Sequence, residues 1–125
     1  MSNPIEILLA EDDEHIAKLV AFKLSKDGYN ITVARNGQEA LDQLAAKSWA
    51  LVILDVMMPF FDGWHVLRTL RAASVNSTVP VLMLTAKSYQ KDVVNAAELG
   101  ATQFLKKPFD PNDLAAMVKK MVGTQ

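Results

Sequence analysis

The chain has 125 residues, half of them apolar and 22% charged, with 13 Lys and Arg against 14 Asp and Glu for a formal net charge of −1. That length suits one domain with a buried core, and a near-neutral chain without a basic stripe is not expected to bind nucleic acid directly. With no cysteine, disulfides, thiolate catalysis and thiolate metal sites are excluded; the polar start Met1-Ser2-Asn3-Pro4 is no signal peptide, no apolar run reaches membrane-spanning length, and a cytoplasmic location without membrane contact is the expectation.

The elements follow in order. A strand is predicted over Ile5 to Ala10. Ile16, Leu19, Val20 and Leu24 then share one helical face, which Gly28 closes. A second strand runs from Asn30 to Ala34, and Asn36-Gly37 breaks before a helix with Ala40, Leu41, Leu44 and Ala45 on one side. The third strand, Ala50 to Asp55, precedes a helix marked by Val66, Leu67 and Leu70. The fourth, Val79 to Thr85, precedes a weaker helix with Val93, Ala96, Ala97 and Leu99. Gln103 to Lys106 makes the fifth strand. In the closing helix Asp110 is a cap, Pro111 takes the first position, Asp113 suits a capping box, and Leu114, Met117, Val118 and Met121 form the stripe. The first, third and fourth strands are apolar runs rather than alternations, as in a parallel sheet buried on both faces. Five strand–helix alternations argue a doubly wound α/β sheet with right-handed crossovers. Its ligand site belongs beyond the carboxyl ends of the strands.

Four of those ends carry chemistry. They are Glu11-Asp12-Asp13-Glu14, Asp55, Thr85-Ala86 and Lys106-Lys107-Pro108; the second strand ends in Arg35-Asn36-Gly37, with none. Taken singly, each has a structural explanation. Acids cap helix starts, a threonine caps or turns, a loop lysine is solvated, and a strand-end aspartate opens a turn. Asp55 is the hardest to dismiss, because it ends the most hydrophobic strand and a buried unpaired charge is costly. Together the ends aim two or three carboxylates, a hydroxyl and a lysine at one spot. Two like charges about 4 Å apart cost about 4 kcal/mol at an effective dielectric of about 20. The cluster therefore needs a further cation or a proton. Hard oxygen ligands favour Mg²⁺. A carboxylate beside Mg²⁺ and a lysine can act as a nucleophile that forms an acyl phosphate.

With these pieces in place, the sequence resembles a response-regulator receiver domain of the two-component phosphorelay family. The resemblance covers the whole chain through ILLAEDDEH, LVILDVMMPFFDG, VPVLMLTAK, LGATQFLKKPFD and the closing helix. It implies a flavodoxin-like (βα)5 domain over residues 1–125, strand order 2-1-3-4-5, with no output domain in this chain. By position, Asp55 resembles the phosphoacceptor. Glu11 and Asp12 resemble the acidic pair that holds the metal with Asp55: Asp12 directly, and Glu11 through water. Asp13 is the alternative to Glu11, because the three acids are consecutive. Met57 resembles the residue whose backbone carbonyl faces the metal. Thr85 resembles the switch hydroxyl, Lys107 the phosphate-binding lysine, and Thr85, Ala86 and Lys107 together the phosphate-binding set. The Lys107–Pro108 peptide is expected to be cis. Phe104 resembles the aromatic switch that turns inward as Thr85 moves.

The resemblance also implies a mode of action. Asp55 takes a phosphoryl group from the phosphohistidine of a histidine kinase or phosphotransfer protein, with Mg²⁺ as cofactor and Mn²⁺ able to substitute. The domain is a switch rather than an enzyme, although it catalyses its own phosphorylation and slow dephosphorylation. Met57 and Lys87 flank the path of attacking water. The response shifts the surface of the fourth predicted helix, fifth strand and closing helix toward a downstream protein or output domain. The domain is expected as a monomer or a phosphorylation-dependent dimer. GATQF lacks the acidic residues that many DNA-binding members carry there, which argues against one form of that dimer. Phe60-Phe61 either folds back on the domain or offers a hydrophobic contact. Met83, Met117 and Met121 read as core filler, His15 as a surface residue, and Trp64 as half-exposed beside the Asp55 loop. A flavin or nucleotide module would want a glycine- or hydroxyl-rich loop after the first strand, where AEDDEH stands. A Mg²⁺-dependent phosphatase would carry its nucleophile on the first strand.

Overall fold

A computed structural model describes residues 4–85 and 100–123. The elements are β1 (Glu6–Ala10), α1 (Glu14–Lys26), β2 (Asn30–Ala34), α2 (Gly37–Ala46), β3 (Leu51–Asp55), α3 (Gly63–Ala72), β4 (Val81–Thr85), β5 (Gln103–Lys106) and α4 (Pro111–Gly123). The predicted helix around Val93–Leu99, with Ala86 and Lys87, lies outside the described residues.

The five strands form one parallel sheet in the order β2-β1-β3-β4-β5, which is the predicted architecture. Because side chains alternate across a strand, the apolar runs feed two cores. Leu8, Val52, Leu54 and Met83 meet Ala40 and Leu44 of α2 and Val66, Leu67 and Leu70 of α3. Ile7, Leu9, Ile53, Leu82 and Leu84 meet Val20 and Leu24 of α1 and Leu114 and Val118 of α4. Both faces of the central strands are dry, so β3 and β4 are buried along their whole length. Met83 lies in the first core and Met121 in the second, against which Met117 packs.

Local chemistry sets the boundaries. β4 begins two residues later than predicted, because the Val79 N–H closes a turn on the Asn76 carbonyl (3.2 Å) and Pro80 has no N–H to donate. Ile5 and Ala50 fall just outside their strands. Asp13, Asn36 and Asp62 cap α1, α2 and α3 by accepting from Ile16, Glu39 and His65 N–H groups. Two residues that carried no signal in the sequence organise the connection before β4. Arg71 donates to the carbonyls of Val79 (2.7 Å), Ser77 (3.1 Å) and Gly100 (2.7 and 2.9 Å). Asn76, at φ 68°, accepts from Trp49 N–H and donates to the carbonyls of Leu44 and Lys47.

Candidate functional site

The parallel register brings the strand ends level. Ala10 sits opposite Leu54 and Asp55 opposite Leu84, while Thr85 is opposite Lys106. The residues that follow β1, end β3 and follow β5 therefore converge. One carboxylate oxygen from each of Glu11, Asp12 and Asp55 lies within 4.8 Å of the others. Glu11 is wholly buried, Asp55 is 3% exposed and Asp12 is exposed. Lys107 Nζ stands 2.8 Å from Glu11 Oε1 and 3.2 Å from Asp55 Oδ2.

The local turns explain why these side chains and not their neighbours arrive. The Glu11 N–H still bonds to the Ala34 carbonyl (3.0 Å), which continues the β1–β2 ladder by one residue and drives Glu11 inward. Asp12 follows at the turn. Asp13 N–H donates to Glu11 Oε2 (3.2 Å), and its own carboxylate accepts from Ile16 N–H (3.1 Å) as the cap of α1. Asp13 is thereby engaged as a cap, and Glu11 is the acid that joins Asp12 and Asp55. Asp55 Oδ1 accepts a long bond from Met57 N–H (3.4 Å). Thr85 is buried at the end of β4 and its carbonyl accepts from Lys107 N–H (2.6 Å). The Lys107–Pro108 peptide is cis. Phe104 is 40% exposed on β5, facing outward.

The charges do not balance. Burial, then a hydrogen bond and charge repulsion from Glu11, push the Asp55 carboxyl up to about 7, against the opposing pull of Lys107. Burial draws the Lys107 ammonium down, but Glu11 and Asp55 outweigh it and hold the group above its ordinary value. Glu11 Oε1 is buried without a hydrogen bond, so its 2.8 Å approach to Lys107 is a charge contact. A set of three hard carboxylates, one with a buried oxygen held by charge alone and one open to water, fits a divalent cation that keeps part of its hydration shell.

The loop after Asp55 is clamped by two glycines. The Gly63 N–H bonds to the Val56 carbonyl (2.9 Å), and a Cβ on Gly63 would stand 3.0 Å from the Asp55 carbonyl carbon. Gly37 N–H reaches the Pro59 carbonyl (3.3 Å). These approaches join residues distant in sequence, so the Asn36-Gly37 break was visible and its contact was not. The two phenylalanines divide the roles proposed for them. Phe61 packs on the core and stacks on His65 (centroids 4.5 Å apart), whereas Phe60 is 81% exposed. Trp64 is half-buried against the same cluster. A groove lined by Pro80, Gln103, Met117 and Met121 lies at the amino ends of β4 and β5, away from the acids.

A doubly wound parallel sheet with an acid cluster and a lysine at its carboxyl ends defines a class of α/β switch and binding domains. The family model for the response regulator receiver domain matches residues 7–119, and the chain belongs to that family, a module of two-component signal transduction. It is 40% identical over 113 residues to the uncharacterized transcriptional regulatory protein YkoG of Bacillus subtilis, covering 90% of this chain and 49% of that protein. The chain spans about half the length of the curated relatives it matches. Among solved structures it resembles the receiver domain of Francisella response regulator 1452 (TM-score 0.90, 31% identity, 98% of each chain). It also resembles the receiver domain of sensor histidine kinase PA1611 from Pseudomonas aeruginosa, described with a magnesium ion in its active-site cleft (TM-score 0.88, 28% identity, 97% of this chain and 99% of that one). Among the described residues no helix is long and apolar enough to cross a membrane.

Proposed function

We propose that Asp55 is a phosphoacceptor and that the domain is a phosphorylation-driven switch. The observation that carries this reading is the convergence of Glu11, Asp12 and Asp55 within 4.8 Å, with Lys107 at 2.8 and 3.2 Å from two of them. An Asp55 carboxylate oxygen attacks phosphorus, the bond to the donor histidine nitrogen breaks, and the imidazole leaves with the electron pair. Glu11, Asp12, Asp55 and the Met57 carbonyl would hold Mg²⁺ or Mn²⁺, which neutralises the phosphoryl oxygens when bound. Lys107 holds one phosphoryl oxygen and the Thr85 hydroxyl donates to another; Ala86 joins this set by family resemblance only. Burial of β3 fixes the nucleophile in line, and Lys107 offsets its charge.

The readout is a population shift. Moving from about 1:99 to 99:1 takes about 5.5 kcal/mol of differential interaction. New bonds to Thr85 and Lys107 supply part of it, and a partner the rest. Phe104, outward here, turns inward as Thr85 moves. The phosphodonor is a histidine kinase or phosphotransfer protein. The regulatory names and greater length of the curated relatives support a downstream output domain or protein, reached as a monomer or phosphorylation-dependent dimer in the cytoplasm. Slow hydrolysis fits the exposed Met57 side chain at the rim; Lys87 lies outside the described residues.

Intact-mass measurement with Mg²⁺ and a small acyl-phosphate donor tests the core claim. A gain of one phosphoryl group that disappears in Asp55→Asn and with EDTA is expected. A folded, Mg²⁺-binding protein that gains nothing from the small donor or from a phosphohistidine protein would overturn it.

A further inference from the structure

We infer that Gly37, in the first turn of α2, is a positioning residue for the reaction at Asp55. It holds the loop between β3 and α3 in a strained shape on which the Met57 backbone depends. The inference rests on the phosphoacceptor reading.

The loop leaves β3 after Asp55 and returns at α3. Its base is closed by Val56 N–H on the Leu84 carbonyl (3.0 Å) and Gly63 N–H on the Val56 carbonyl (2.9 Å). Its tip rests on α2. The Gly37 N–H bonds to the Pro59 carbonyl (3.3 Å), and a Cβ at Gly37 would stand 2.6 Å from Phe61 Cβ and 2.7 Å from the Phe61 carbonyl carbon. Those are backbone and near-backbone atoms, which cannot swing aside as a side-chain end could. Any larger residue at 37 must move the loop or the helix.

Between the two seated residues, Phe60 adopts φ 68° with its ring 81% exposed. A left-handed backbone is unfavourable for a bulky residue, and an exposed ring recovers nothing by burial. Phe60 therefore does not choose this shape; the contacts on either side of it impose it. Met57 lies two residues before Pro59, 67% exposed, and among the described residues its one hydrogen bond is the long 3.4 Å bond of its N–H to Asp55 Oδ1. The Val56 carbonyl on its amino side is held by Gly63 N–H, but among the described residues no hydrogen bond holds the Met57 carbonyl itself, so the position of the tip sets where that carbonyl points.

Calorimetric Mg²⁺ titration and acyl-phosphate labelling of four proteins test this: wild type, Gly37→Ala, Phe60→Val and Phe60→Gly. Valine resists a left-handed backbone, whereas glycine accepts it at no cost. The expectation is Mg²⁺ affinity about tenfold weaker in Gly37→Ala and Phe60→Val, as when an outer support of a metal site is lost, and unchanged in Phe60→Gly. Labelling should recover at saturating Mg²⁺. If Phe60→Val and Phe60→Gly behave alike, the shape of the loop does not matter and the inference fails, even if Gly37→Ala does not fold. Gly37→Ala that folds and binds Mg²⁺ like wild type would also overturn it, because the helix then moved instead. A wild type without Mg²⁺ binding or labelling would fault the phosphoacceptor reading.

Discussion

Replacing Asp55 with asparagine should stabilise the metal-free fold, by an amount set by pH. The Asp55 carboxyl is 3% exposed and is pushed up from 3.8 to about 7, by burial first and then by Glu11. A carboxyl whose folded pKa lies above its unfolded pKa binds more protons in the folded state between the two values. Stability therefore falls as pH rises through that window. Below it both states are protonated and the penalty vanishes; above about 7 it is complete. Three units at about 1.4 kcal/mol each give a ceiling of about 4 kcal/mol. Asparagine gives up the 3.2 Å ionic contact with Lys107, while Lys107 keeps Glu11 at 2.8 Å. A net gain of about 2–3 kcal/mol is expected at alkaline pH, because breaking one arm of a buried ion pair offsets part of the relief. Urea unfolding in chelator, followed by tryptophan fluorescence across the window, measures it. A difference between wild type and variant that is independent of pH, or a variant less stable above pH ~7, would refute the electrostatic argument.

Three further outcomes can be measured, two at the acid cluster and one at Asn76. Mg²⁺ should raise the melting temperature of the wild type more above neutral pH than below it, because protons compete for Asp55. Asp12→Asn, at an exposed position, should abolish most of that rise while leaving metal-free stability within about 0.5 kcal/mol; differential scanning calorimetry with and without Mg²⁺ decides it. Asn76→Ala should cost about 2–4 kcal/mol, because it removes three side-chain bonds to Trp49, Leu44 and Lys47 and places alanine at φ 68°. A loss under about 1 kcal/mol in equilibrium unfolding would show that those bonds are replaced by water.

The sheet was legible because its signal is local. Runs such as Leu51–Asp55 and Val81–Thr85 are apolar on both faces, and only a parallel sheet covered twice consumes that pattern. The convergence of Glu11, Asp12, Asp55 and Lys107 was legible for a related reason. Once the strands are parallel and in order, their carboxyl ends meet wherever they lie in the chain. What the sequence left open was the division of labour among Glu11, Asp12 and Asp13, since all three are carboxylates and only the turn into α1 distinguishes them. Phe60 and Phe61 were likewise inseparable by composition, because the φ of a single residue parts them. Arg71 and Asn76 gave no sign, because their partners are backbone groups up to 32 residues away, carbonyls and, for Asn76, also the Trp49 N–H.

The turn at 11–13 has a consequence for how such a domain can diverge. A buried acid, an exposed acid and a helix cap occupy three consecutive positions, so the acid cluster and the architecture share one span. Inserting or deleting a residue there would shift the cap and rotate α1 while pulling Glu11 from beneath Lys107. That span is closed to length change. The outward side of α1 is under no such constraint: Leu19 and Phe22 are exposed and take no part in either core. Residues on that side can change substitution by substitution while the acid cluster stays in register. A lineage built on this turn would be expected to vary along the outer side of α1 and to keep the length of the span from Glu11 to Asp13.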